Sequence, residues 1–183
     1  MTERDKAERY ETEIIPYHIP SNPLAREDRI REIKKDMSPT DLEALEQLAL
    51  KVHPTTLYRN PTVDYTFAVY PGDLVVFLAR SREDNRLVGM LEFIPAGHYG
   101  MVHWIKVLRE YRGKHIGTAL MLALIDYVGE GSRMHLDALR SFISEEAGKP
   151  SSRNAARALF QHRGFERSPH GAFVLNLKKP GST

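Results

Sequence analysis

Residues 109–120 read REYRGKHIGTAL, which places Arg109, Arg112 and Lys114 around two glycines four apart, Gly113 and Gly117, with His115 between them. They follow a strand-like segment ending at Val107 and lead into an apolar helix. A glycine loop that runs into a helix N-terminus presents unpaired peptide N–H groups and the positive end of the helix dipole, an arrangement that suits phosphate. No Gly-Lys-Ser/Thr closes the segment, so it is not a Walker loop, and it lacks the three glycines of the dinucleotide fingerprint. The competing reading is structural: two glycines can simply permit a tight turn and close helix packing.

Two ionisable residues on neighbouring strand-like segments could move a proton, Glu92 in RLVGMLEFI and His103 in MVHWIKV. An imidazole titrates near neutrality, which makes His103 the first candidate for a general base and Glu92 the second. The plainer alternatives are a hydrogen-bonded sheet histidine and a solvated strand carboxylate. His135 and Asp137 on the following segment are weaker candidates. His98, His162 and His170 have no metal-ligand spacing, and no metal is expected. The chain has no cysteine, which excludes disulfides, thiolate metal sites and cysteine nucleophiles and fits a reducing cytoplasm.

The elements that would carry these groups can be read from periodicity. The 183 residues suit one domain, expected over residues 13–179 after a charged, flexible leader at 1–12. An extended segment at Ile14 to Ile19 precedes a helix with Asn22 as N-cap and Pro23 as its first residue. Ser38, Pro39 and Asp41 repeat that start signal before the apolar stripe Leu42, Leu45, Leu48, Ala49 and Val52, which stops before Pro54. Segments 73–80, 86–94 and 101–107 read as an antiparallel meander. If that third strand is regular, Trp104 faces away from His103.

Ile116 to Val128 reads as a largely buried helix, and RMHLDAL (133–139) as a strand joined to the meander by a right-handed crossover, hence parallel to MVHWIKV. A helix from Arg153 to His162 and a strand over 172–178 complete the chain. The expected class is α/β (α+β): a mixed, mainly antiparallel sheet flanked by helices.

A strand ending in Val107, then LREYRGKHIG, then a long apolar helix resembles the acyl-CoA-binding segment of the GNAT superfamily of N-acetyltransferases. Arg112 matches the first position of that family's motif and Gly117 its last, while His115 stands where glycine is usual. ARALFQHRGF (156–165) is similar to a second signature of the family, and the likeness spans residues 73–178 in order. It implies a parallel strand pair splayed to hold acyl-CoA, near Ile105 to Leu108. Ile105, Lys106, Val107, Arg112, Gly113, Lys114, His115, Ile116, Gly117 and Thr118 would then contact the cofactor, with Asn154 and Phe160 added from the later helix. Where many members carry a tyrosine that protonates the departing thiolate, this chain has Phe160, which cannot.

The resemblance implies direct transfer of an acetyl group from acetyl-CoA to a primary amine of a small-molecule or amino-acid-like substrate. Acceptor choice would rest on residues 18–65 and 95–100, including Tyr58, Asp64 and Tyr65. Acetylation of a protein N-terminus or lysine is an alternative, as is a non-catalytic acyl-CoA sensor. A homodimer is among the assemblies open to the chain. The net charge of +2 is too small to argue for nucleic acid, although residues 133–183 carry nine Lys/Arg against four Asp/Glu, leaving −3 on the first 132. No recognition helix or aromatic RNA platform accompanies that basic third. No apolar run is long enough to cross a bilayer, so no membrane association is expected.

Overall fold

Asn22 and Ser38 start the first two helices in the way their sequence signals require. The Asn22 side chain accepts from the N–H groups of Leu24 and Ala25, both at 3.1 Å, and opens α1 (Pro23–Lys35). Ser38 and Asp41 form a full capping box for α2 (Pro39–Leu48). These helices follow β1 (Thr12–Ile19) and precede the meander β2 (Leu74–Ser81), β3 (Leu87–Ala96) and β4 (Tyr99–Val107). A 3₁₀ turn at Arg109–Tyr111 leads into α3 (Ile116–Val128), followed by β5 (Ala138–Ser141), α4 (Pro150–His162), β6 (Glu166–Arg167) and β7 (Phe173–Asn176). The computed structural model describes residues 12–49, 67, 72–129, 134, 136–141 and 150–177.

The strands form one sheet in the order β1-β2-β3-β4-β5-β7-β6. Its pairs are antiparallel except β4 with β5, which run parallel on either side of the α3 crossover. Gly89 lets α3 lie close to the sheet, since a Cβ there would come within 3.0 Å of Ile116 and 3.2 Å of Leu120. Leu91 and Phe93 share that face of β3 with Gly89, because side chains alternate along a strand. Glu92 therefore faces the other way, towards α2, whose Ala44, Leu45 and Leu48 are buried.

Two segments depart from their sequence expectation. The strand expected at 133–139 begins only at Ala138, because a tight turn with Leu136 N–H donating to Met134 O (3.0 Å) bends the chain first. Leu136 is nonetheless buried, so its apolar character reflects packing rather than a pleat. His135 lies outside the described residues, as does the loop carrying Tyr58, Asp64 and Tyr65. β7 is shorter than expected and pairs with the two-residue β6, whose turn is closed by Gly171 at φ +82°.

Asp41 ties α2 to the meander. Its Oδ2 accepts from Arg80 Nη1 at 2.9 Å and its Oδ1 from Leu87 N–H at 2.9 Å, while its own N–H donates to Ser38 Oγ at 3.1 Å. Burial alone would raise its pKa, but the hydrogen bonds from Leu87, Arg80 and Ser38, with the charge of Arg80, outweigh this and hold it below the usual carboxylate range. A lowered folded pKa contributes stability that is present above about pH 4 and lost as pH falls through the folded value. Asp41→Asn is expected to cost about 3 kcal/mol at neutral pH. Its melting temperature should converge on that of the native chain as the pH drops below the carboxylate range; a constant gap would contradict this.

Candidate active site

The β3–β4 register pairs Glu92 with Trp104 and then Phe93 with Val102, which leaves His103 as an extra residue in β4. That is a β-bulge, and bulges re-aim side chains. On its other edge β4 pairs with β5 only from Tyr99↔Ala138 to Val102↔Ser141. From Trp104 to Val107 it remains paired to β3, and from His103 onward it has no β5 partner among the described residues, which omit 142–149. Among the described residues, the peptide N–H and C=O groups on this edge therefore have no β5 partner. The expected splay near Ile105 to Leu108 lies opposite residues 142–149, which are outside the described residues. Leu108 itself is spent on the fold, its N–H donating to Val88 O at 2.9 Å.

The bulge sets His103 and Trp104 together opposite Glu92. His103 Nδ1 lies 3.0 Å from Glu92 Oε2, with the His103 side chain 29% exposed and that of Glu92 at 0%. Glu92 is thus not a solvated strand carboxylate, and Trp104 does not face away from His103. Both departures have one cause, the extra residue, which breaks the two-residue alternation of β4. Trp104 Nε1 donates to Leu48 O at 3.1 Å, and Lys106 Nζ donates to Gln47 O. These two side chains satisfy carbonyls at the C-terminal end of α2, which has no basic residue in its last turn.

Beyond β4 the chain turns into the glycine segment. Tyr111 is buried and its hydroxyl donates to Asp84 Oδ2 at 2.5 Å, anchoring the turn to the β2–β3 connection. Lys114 Nζ stands 5.2 Å from the Tyr111 ring centroid and 3.9 Å from Glu83. Arg112 Nε donates to Val107 O at 3.3 Å. Gly113 has φ +82°, and His115, at the N-cap of α3, has φ +59° with no side-chain capping bond. A left-handed backbone at 115 accounts for glycine being usual there. Arg112, Gly113, Lys114 and His115 are exposed, whereas the Ile116 side chain is buried, leaving only its backbone to the cradle. The N–H groups opening α3 have no intrahelical carbonyl to bond.

The later helix is arranged differently from the sequence expectation. Phe160 is 2% exposed and packs 5.0 Å from Phe165 and 5.5 Å from Phe173, ring centre to ring centre. It belongs to an aromatic core cluster, because the α4 face that carries it is pressed onto β7 and the Phe165 turn. Asn154 is exposed on α4. Leu159 approaches the cradle instead, its Cδ2 lying 3.6 Å from where a Gly117 Cβ would stand. Sequence reasoning also missed Asp84, which sits in a turn with no signature, and Ser141, which lies in no motif.

The Tyr111 hydrogen bond is the first cause of a lowered Asp84 pKa, and the Asp84 bond, followed by burial, raises that of Tyr111. The latch therefore contributes its stability above the usual carboxylate range and below the usual phenol range. It is lost as pH falls through the folded Asp84 value or rises through the folded Tyr111 value. Because Asp84 is open to water, Tyr111→Phe is expected to cost only about 1 kcal/mol. The cost should vanish in acid; one that persists at pH 2 would show that packing, not the hydrogen bond, is being lost.

The family model of the acetyltransferase (GNAT) family matches residues 42–165, more than half of the chain. Among solved structures, nourseothricin acetyltransferase is 17% identical with a TM-score of 0.51, over 92% of this chain and 99% of that one. NAA60 of Arabidopsis thaliana, in complex with a bisubstrate analogue, is 16% identical with a TM-score of 0.51, over 91% and 100%. Spermidine N-acetyltransferase from Vibrio cholerae, in complex with CoA and spermine, is 15% identical with a TM-score of 0.46, over 57% of this chain and 66% of that one. No curated protein matches the sequence closely enough to count as a relative. Matched by the family model across its meander, glycine cradle and α4 signature, the chain belongs to the GNAT acetyltransferase family.

Proposed function

We propose that the protein transfers an acetyl group from acetyl-CoA to a primary amine of a small-molecule or amino-acid-like substrate, by direct attack in a ternary complex. The observation that carries this reading is the bulge that sets His103 against Glu92 on β4, the strand that leads through Val107 into the glycine cradle at the start of α3 and that has no β5 partner beyond Val102 among the described residues. A diphosphate on the cradle would leave its thioester arm to run along that strand towards the Glu92–His103 pair. Arg112 and Lys114 add positive charge beside the cradle, and their exposure suits a solvated anion.

The chemistry divides among this chain's own groups. A carboxylate on Nδ1 orients the His103 ring and assigns its proton there, so the lone pair of the neutral ring lies on Nε2. Nε2 takes a proton from the acceptor ammonium, the freed amine attacks the thioester carbonyl, and the second proton of the attacking nitrogen passes to the departing thiolate or to solvent as the amide forms. Peptide N–H groups on that stretch of β4 stabilise the oxyanion of the tetrahedral intermediate. Collapse breaks the C–S bond and releases the thiolate of CoA. A thiol with a pKa of about 8.5 is a tolerable leaving group near neutrality, so Phe160 in place of an acid does not block the reaction. Glu92, fully buried, does not itself meet the acceptor.

Thiol release from acetyl-CoA with a panel of small amines, amino acids and peptides tests the activity and separates a small acceptor from a protein N-terminus. CoA binding without turnover on any of them would instead mark a sensor. His103→Ala is expected to lower kcat about 10²- to 10⁴-fold, chiefly below the pKa of the acceptor amine, with CoA affinity retained. Full activity with an unaltered pH profile would remove His103 as base. Gly117→Ala meets only ordinary contacts at Leu159 and Val107, and exchanging a helical glycine for alanine should stabilise by up to about 1 kcal/mol. The alanine variant should melt higher, whereas the bulky β-branched Gly117→Val should bind CoA more weakly; unchanged affinity in Gly117→Val would contradict the cradle assignment.

A further inference from the structure

Trp104 is the only tryptophan of the chain. It follows the bulged His103 directly and pairs with Glu92 in the β3–β4 register. Residues directly opposite each other on neighbouring strands place their side chains on one face, so the indole shares the face of the buried Glu92 carboxylate. On that face its Nε1 donates to Leu48 O at 3.1 Å. Leu48 is the last residue of α2, and a carbonyl at that end has no N–H from a further helical turn to accept. One bond thus satisfies both the helix end and a partly buried indole. His103 and Trp104 are each tied by a side-chain bond, the first to β3 through Glu92 and the second to α2 through Leu48. Ties on two consecutive residues fix the peptide between them.

We infer that Trp104 is a positioning residue of the acetyl-transfer site. A bulge is the least constrained point of a strand, because its extra residue has no partner in the ladder. The Glu92 bond sets where Nδ1 of His103 lies, but the ring can still swing about that contact. The bond to Leu48 holds the backbone from which the ring projects, and so sets where Nε2 points. Without it the Glu92–His103 bond and the glycine cradle stay intact, while Nε2 is free to turn away from the acceptor. Proton transfer depends closely on such alignment, so the loss falls on turnover and not on cofactor affinity. The inference rests on the reading that His103 takes the acceptor's proton.

A single tryptophan lets the N–H be removed with little change of shape. Protein made in a tryptophan auxotroph fed benzothienylalanine carries sulfur in place of the indole N–H, in a ring of similar outline. A ring-fluorinated tryptophan keeps the N–H and is the conservative replacement, and Ile30→Val trims a core side chain in α1. Each is compared with the native chain for melting temperature, Kd for CoA by calorimetry, and kcat with an amine that supports thiol release. The benzothienyl protein should show a kcat about fivefold lower, equivalent to about 1 kcal/mol in the barrier, with Kd within about twofold of native. The fluorinated protein should stay within about twofold of native on both constants. Ile30→Val should melt lower with both unchanged. Native kcat in a benzothienyl protein that melts lower would overturn the inference, because the bond would then serve stability alone. So would a Kd that rises in step with the fall in kcat, or a fluorinated protein as impaired as the benzothienyl one. A native chain that binds no CoA, or turns over no amine, would instead overturn the functional reading beneath it.

Discussion

At His103 one extra residue interrupts the pairing of β4 with β3, and the rest of the site depends on that bulge. Peptide N–H and C=O groups are obligatory hydrogen-bonding groups that a fold must satisfy. On its β3 side β4 is paired from Tyr99 to Val107 except at the bulged His103, which keeps the strand fixed to the sheet on both sides of the bulge. On its β5 side the described pairs end at Val102, and the peptides that follow belong to a strand rather than to a loop. Rigidity matters because a donor already aimed at developing charge needs no rearrangement when the charge appears. The same strand then delivers the chain into the turn whose glycine and left-handed residue expose the N-terminus of α3.

Glu92 shows what the bulge stabilises. A carboxylate removed completely from water is costly unless its hydrogen bonds are made inside the protein. Here the partner is the imidazole of His103, which retains its other ring nitrogen and part of its surface for solvent or substrate. Trp104 and Lys106, from the same bulged strand, close the end of α2. The helix and the imidazole are therefore positioned by one stretch of backbone. Asp41 anchors α2 at its opposite end through Arg80 and Leu87, so the helix beside the site is held at both termini by the sheet.

Much of this could be read in the amino-acid order, where the physics is local. Asn22, Pro23, Ser38 and Asp41 announce helix starts because side-chain caps act within three residues. The meander and α3 follow from their periods of two and of 3.6. The family likeness puts the cradle at Arg109 to Thr118, a segment that lies within the family match to residues 42–165. What could not be read depends on cross-strand register. One extra residue in β4 decides that Glu92 and His103 meet, and nothing in RLVGMLEFI or MVHWIKV marks a bulge. β5 was misplaced by a turn whose buried Leu136 mimics a strand residue. Motif spacing names the position of Phe160 on its helix but not the neighbours that cover it, which are Phe165 and Phe173.

The most direct measurement is a crystal structure of the protein soaked with coenzyme A. The account requires the diphosphate oxygens to lie within hydrogen-bonding distance of peptide nitrogens between Gly113 and Thr118, with the pantetheine arm along β4 from Val107 towards His103. Coenzyme A bound elsewhere, or β4 and β5 zipped together beyond Val102 with the cradle occupied by protein, would contradict it.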